Sequence, residues 1–364
     1  MTTIRMAKIG ICLATILLLQ FAVLAQSETR GEKPPDPPVD AASAPSTTQK
    51  KPTEEVALKM NTSLVNVPVI VTDRVGKYIP NLTSNYFEIF EENVKQNIDA
   101  FSSIEVPFNV VLLIDTSNST FFKLEDIQQS ALAFISLLRE QDQVMVVSFD
   151  TQVYIDSEFT NDHKKLRKAI LETRSGGATR VYDAIDLVLT ERLASISGRK
   201  AVVMFSDGVD TGSLLATARS TIDLVEESDV LVYIIQYDTR EDVREKIQGY
   251  SGRRGAGAGQ VLTGAPIRGA TEEEYRRANR YLKEVADCSG ARLFKVEMLG
   301  DVNQAFQLIA DELRHQYMLS YYPSNDKRDG NYRRIRVVVN QPNTAVRARK
   351  GYRAESETQP TDKN

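Results

Sequence analysis

The chain has 364 residues, 42% of them hydrophobic and 26% charged, with a formal net charge of -4. That composition suits one large or two modest globular bodies and excludes a fibrous or wholly disordered chain. Without a basic excess there is no general field for phosphate backbones, and nucleic-acid binding is set aside.

Residues 1–25 have the layout of an export signal. Arg5 and Lys8 form a short basic region, residues 9–19 (IGICLATILLL) an apolar core, and Val23-Leu24-Ala25 a cleavage end before Gln26. The alternative is an uncleaved membrane anchor, for which the apolar run is slightly short. Either reading puts the body of the protein outside the cytoplasm, in the periplasm or the extracellular space. Cys12 falls in this segment, at the wrong place for a lipidated mature terminus. Cys288 is then the one mature cysteine, an intramolecular disulfide is impossible, and a buried helix end is its expected place. Residues 26–55 carry six prolines and almost no large apolar side chain, so they read as a Pro-rich disordered linker. The tail, 354–364, is similar in composition.

Residues 56–106 hold "SLVNVPVIVTD", turn chemistry at "VGKYIPNLT" and two further short strands in "YFEIFEENVKQNIDAFSS". Residues 317–353 return to the same texture with "QYMLSYYPS", "RRIRVVVNQP" and "AVRARKGYRA". Each segment is too small for a good core, so the two are expected to form one β-sandwich with residues 107–316 inserted between them.

That insert alternates strands and helices. "VVLLI" before Asp115, "KAVVMF" before Ser206 and "VLVYIIQY" before Asp238 are runs for strands buried on both faces. A helix is expected through Leu124, Ile127, Ala131, Phe134 and Leu138, and a strand pair joined at Asp150-Thr151. Further helices are expected in "DHKKLRKAILE", "RVYDAIDLVLTERLAS", "LLATARSTIDLVEES" and "DVNQAFQLIADELRHQ". Another runs from a capping box at Thr271 and Glu274 to Gly290. The implied fold is a doubly wound, mostly parallel α/β sheet.

Such sheets bind ligands beyond the carboxyl ends of their strands. Asp115, Ser117 and Ser119 follow one buried strand, Asp207 follows another, and Thr179 stands between a Gly-Gly turn and a helix. Taken alone, the first three also suit a turn with a helix cap. Together the five present only hard oxygens, which select Mg²⁺, with Mn²⁺ or Ca²⁺ possible, over zinc or copper. Two carboxylates against a double charge leave the ion able to accept an external anionic oxygen.

D-x-S-x-S after an apolar strand, G-G-x-T before "YDAI", and a strand ending in S-D-G resemble, in that order, the von Willebrand factor type A domain and its metal ion-dependent adhesion site. The flanks "VPVIVTDRVGKYIPNLTSNYFEIFEENVKQNIDAF" and "YMLSYYPSNDKRDGNYRRIRVVV" with "VRARKGYRA" resemble a bacterial family of such proteins found in acidobacteria. The resemblance implies Mg²⁺ held by Asp115, Ser117, Ser119, Thr179 and Asp207, with a protein partner's Asp or Glu completing the octahedron. It implies a binding, adhesive role rather than turnover. The rival is a Mg²⁺-dependent hydrolase of phosphoryl substrates. The position two after Asp115 is Ser117, so the neighbouring acid of aspartyl-phosphate chemistry is missing, and no Walker A loop occurs.

One departure is the long Gly- and Arg-rich stretch at 238–270, read as a disordered loop or as a basic contact surface for an acidic partner. Asp183, Asp186 and Asp210 are read as solvated or capping groups, Tyr317, Tyr321 and Tyr322 as strand packing, and His163 and His315 as surface residues. If the leader is cleaved as read, protein exported by a bacterial host has Gln26 at its N-terminus; mass spectrometry showing a retained residue 1–25 segment would establish the anchor instead.

Overall fold

The computed structural model describes residues 64–103, 107–119, 124–240, 271–297 and 299–354. The signal segment, the Pro-rich linker, most of the C-terminal tail and residues 241–270 of the Gly/Arg-rich stretch lie outside them. Among the described residues no helix is long and apolar enough to cross a membrane.

The central sheet is built on β5 (Phe108–Asp115), whose sequence FNVVLLID is buried almost throughout. Its neighbours are β6 (Gln143–Phe149) and β8 (Arg199–Phe205), both parallel to it. Beyond β8 lie β9 (Leu231–Tyr237) and β10 (Leu293–Val296), again parallel, and beyond β6 the antiparallel edge β7 (Val153–Thr160). The order is β10-β9-β8-β5-β6-β7. The chain leaves β5 on one side and returns to β8 on the other, so strand order reverses between β5 and β8, the position beyond whose carboxyl ends open α/β sheets bind ligands.

Alternation along β5 sends its side chains into two cores. Val110, Leu112 and Ile114 pack with α1 (Leu124–Ser136), α2 (His163–Glu172) and α6 (Leu299–Arg314). Val111 and Leu113 pack with α3 (Val181–Leu187), α4 (Ala218–Glu227) and α5 (Glu272–Ser289). The capping box of Thr271 and Glu274 opens α5, and Gly290 closes it with φ 85°.

Three helices are shorter than their sequences suggest. Leu138 lies beyond the end of α1. After α3 the chain passes into a π turn, Val188–Arg192, where the Thr190 hydroxyl donates to the Asp186 carbonyl at 2.7 Å and competes with the regular ladder. α4 starts only at Ala218, because Thr217 caps it in a box with Ser220 and leaves Leu214 and Leu215 in the preceding loop.

Two four-stranded antiparallel sheets flank this body. One has the order β13-β1-β11-β4, from β1 (Val65–Asp73), β4 (Ala100–Ser102), β11 (Tyr317–Tyr321) and β13 (Thr344–Ala348). The other is β14-β12-β2-β3, from β2 (Phe87–Glu91), β3 (Val94–Gln96), β12 (Tyr332–Val339) and β14 (Gly351–Arg353). Each interleaves strands from before and after the parallel sheet, so neither flank completes a sheet alone. Val67, Val69, Ile89, Tyr317, Leu319 and Tyr321 share their core. The Tyr317 hydroxyl donates to the Ile79 carbonyl at 2.7 Å, and those of Tyr321 and Tyr352 donate to Glu91 at 2.8 and 3.0 Å. His163 is exposed, but His315 is not the free surface residue expected: half-buried, it stacks on Tyr78 with ring centroids 4.5 Å apart.

The sandwich meets the parallel sheet at the carboxyl ends of α4, α5 and α6. Arg353 pairs with Asp223 at 2.7 Å, Lys350 with Asp287 at 2.9 Å, and Glu312 sits between Arg292 at 3.0 Å and Arg347 at 2.5 Å. A Cβ on Gly290 would stand 2.6 Å from the Arg349 amide nitrogen. Gly290→Ala therefore meets both a left-handed backbone and a clash with β-sandwich backbone, and should cost about 2 kcal/mol or more in urea unfolding of the full chain. A loss below about 0.5 kcal/mol, the range of surface changes, would mean that this joint is loose.

Candidate metal site at the carboxyl edge of the sheet

Asp115 is the last residue of β5 and is 0% exposed. Its Oδ2 accepts the Ser206 hydroxyl at 2.6 Å and its Oδ1 the Ser117 amide at 3.0 Å. Ser117 Oγ lies 3.0 Å from Ser119 Oγ. Beyond the end of the neighbouring β8, Asp207 is 1% exposed; its Oδ1 accepts the Val209 amide at 2.9 Å and its Oδ2 the Thr239 hydroxyl at 2.5 Å. Ser119 also hydrogen-bonds to Asp207, which closes a chain from one carboxylate to the other.

Thr179 reaches the same edge by a different route. Gly176 donates to the Thr116 carbonyl at 2.7 Å, and the Gly177 carbonyl accepts the Asn118 amide at 3.2 Å, so the Gly-Gly turn is fastened to the loop after Asp115. Only a glycine fits at 176, since a Cβ there would fall 1.6 Å from Asp150 Oδ2. The contacts that hold Thr179 run through its backbone: its amide donates to Thr211 Oγ1 at 2.9 Å, and its carbonyl accepts from Thr211 and Gly212 at 3.0 and 2.9 Å. The structure thus links Asp115, Ser117, Ser119 and Asp207 directly and sets Thr179 on the adjoining loop.

The electrostatics are those of a site short of positive charge. Burial, and then the negative charge of Asp207, push the Asp115 carboxyl up from 3.8 to about 7; burial also raises Asp207. Every hydrogen-bond partner of either carboxylate among the described residues is a hydroxyl or a backbone amide. Two buried carboxylates with hydroxyls around them, and no sulfur or imidazole, fit a hard divalent cation.

Three supporting residues are not among the five candidates. Ser206 was visible as the first letter of S-D-G. Thr239 is the second residue beyond β9, and its hydroxyl also lies 2.9 Å from that of Tyr275; Tyr275 carried no sequence signal. Of the acids set aside, Asp210 accepts the first amide of α3 at 2.9 Å, whereas Asp183 is buried rather than solvated. Burial raises the Asp183 carboxyl, but the amides of Leu214, Ala216 and Leu215 outweigh it and hold the group below its ordinary value.

Residues 110–209 match the family model described as von Willebrand factor type A domain, a span that includes all five candidate oxygens. No curated protein matches the chain. Among solved structures, the chain is similar to an aerotolerance-related membrane protein from Bacteroides fragilis, with 16% identity, 57% of this chain and 98% of that one covered, and a TM-score of 0.41. The vWF domain of a type V pili tip protein from Porphyromonas gingivalis gives 14%, 57%, 95% and 0.42. The protein BatB from Bacteroides thetaiotaomicron gives 15%, 56%, 98% and 0.40.

The carboxylate pair should make the protein's stability depend on pH. With Asp115 titrating near 7 in the fold and 3.8 as the reference, its contribution to stability is full below about pH 4 and is lost as pH rises through about 7. Asp115→Asn should therefore flatten most of that decline in EDTA and raise stability at pH 8 by roughly 2 kcal/mol. Urea midpoints across this pH range check it; an unchanged slope would mean that Asp115 is not the group under strain.

Proposed function

We propose that this chain is an exported protein-binding module of adhesive or scaffolding type. In this reading Asp115, Ser117, Ser119, Thr179 and Asp207 hold Mg²⁺, and an Asp or Glu side chain of a protein partner completes the coordination. The observation that carries it is the buried Asp115–Asp207 pair, joined through Ser117 and Ser119 at the point where strand order reverses. A cation relieves the repulsion that burial imposes on the pair, and because the remaining donors are neutral it keeps enough positive charge to attract a further carboxylate.

The match to a type A domain supports a protein-interaction module in the coarse sense. The metal, the partner carboxylate and the exported location are this reading's own additions, the last resting on residues 1–25. The bound ion would supply a Lewis-acidic contact for the partner's oxygen. The protein's residues would fix the position of the ion: Ser206 and Thr239 each direct one carboxylate oxygen, and the Gly176-Gly177 turn sets the distance of Thr179 from the pair.

Isothermal titration with Mg²⁺ and Mn²⁺ tests this. Asp115→Ala and Asp207→Ala should each abolish binding, since each removes one of two anionic donors, with circular dichroism unchanged because the site lies at the sheet's edge. Ser117→Ala and Ser119→Ala should weaken binding less, by about tenfold, as water replaces a neutral ligand. Undiminished affinity in Asp115→Ala would reduce these oxygens to turn and cap groups.

A further inference from the structure

The loop between β8 and α4 carries Asp207 at one end and two bare leucines at the other. Leu214 and Leu215 are 75% and 88% exposed. Single exposed leucines are ordinary on protein surfaces. These two are adjacent, almost fully exposed, and held on a fixed backbone. The amides of Leu214, Leu215 and Ala216 all donate to the buried Asp183 carboxylate at 2.9 Å. Ser213 donates its hydroxyl to Asp210 at 2.5 Å and accepts the Tyr182 and Asp183 amides at 3.1 and 3.2 Å. Ala216 is buried directly behind them.

The same loop is fastened to the candidate metal site. Thr211 and Gly212 donate to the Thr179 carbonyl, and a Cβ on Gly212 would stand 3.0 Å from the Ala178 Cβ, so the two loops are in close contact. α3 and α4 both begin at the carboxyl edge of the sheet, which puts the leucines on the side that Asp115 and Asp207 face.

We propose that Leu214 and Leu215 are an apolar anchor for the protein partner, packing against apolar side chains that flank the Asp or Glu brought to the metal. The proposal rests on the metal-dependent reading above and names a second determinant for the same partner: an acidic residue within an apolar surface, in place of an acidic residue alone. A carboxylate on one ion gives charge selectivity but little discrimination among acidic peptides, while burial of two leucines adds affinity only for a partner with apolar neighbours. Because the backbone is already ordered by Asp183, little further entropy is lost when the leucines are covered.

The test uses the purified full chain and a phage library of linear peptides with one fixed central Asp, selected in Mg²⁺ and eluted with EDTA. The enriched peptides should carry apolar residues beside the Asp. Their affinity, read by fluorescence anisotropy, should fall at least about tenfold in the Leu214→Ser/Leu215→Ser double variant, the loss expected on withdrawing one buried leucine. Mg²⁺ affinity by calorimetry should stay unchanged in that variant, whereas Asp115→Ala should lose both metal and peptide. Equal peptide affinity in the double variant, or enrichment without apolar neighbours, overturns the anchor and leaves the metal reading standing. Failure to enrich any Mg²⁺-dependent peptide counts against the metal reading and the anchor together. If the leucine substitutions instead abolish self-association in sedimentation or binding to phosphatidylcholine vesicles while peptide affinity is unchanged, the face serves a second copy or a lipid surface and the proposal is wrong.

Discussion

Two carboxylates buried side by side at the ends of adjacent parallel strands are the constraint to which this structure is arranged. Left to itself such a pair opposes folding, because each acid is desolvated and one is further raised by its neighbour's charge. The surrounding groups temper this without cancelling it: Ser206, Thr239, Ser119 and the amides of Ser117 and Val209 hydrogen-bond the oxygens, yet none brings positive charge. A neutral side chain at either position would relieve the strain. Keeping both acids fits a site that takes a positive charge from outside the chain, as proposed above.

Stability is supplied elsewhere. The two cores on either face of β5 are almost wholly aliphatic and aromatic, and the charged contacts that join sheet to sandwich sit at the far ends of the helices. Glu312, between Arg292 and Arg347, ties α6 and the start of β10 to β13. One pole of the molecule is thus committed to its own internal pairing, and the other keeps under-compensated acid and uncovered leucine. That separation lets the carboxyl edge of the sheet carry unfavourable features which the rest of the fold can tolerate.

Much of this was legible in the sequence because its signals are local. Runs such as VVLLI and AVVMF announce doubly buried strands, the Thr271 capping box and Gly290 mark both ends of α5, and four oxygen-bearing residues after strand ends, with Thr179 after a Gly-Gly turn, point to one edge. Other features depend on contacts between distant residues and left no local trace. Tyr275 matters through a hydroxyl contact made 36 positions from Thr239. Asp183 looked like a solvated or capping group because nothing near it in sequence shows that a loop 31 to 33 positions away donates three amides to it. The leucines at 214 and 215 extended a helical hydrophobic pattern, and only the Thr217 cap shows that they lie outside the helix. Local chemistry overrode periodicity there, as it did where Thr190 turned the end of α3 into a π turn.

The position of the long excursion between β9 and α5 has its own logic. Residues 241–270 are bracketed by Thr239 and Tyr275, and these two hydroxyls lie 2.9 Å apart with Thr239 donating to Asp207. The Thr271–Glu274 box fixes the start of α5, so Tyr275 occupies its place independently of what precedes the helix. The described residues on both sides of that segment are therefore fastened next to Asp207. The surroundings of Asp207 are thus set by groups on either side of that segment, Thr239 before it and Tyr275 after it.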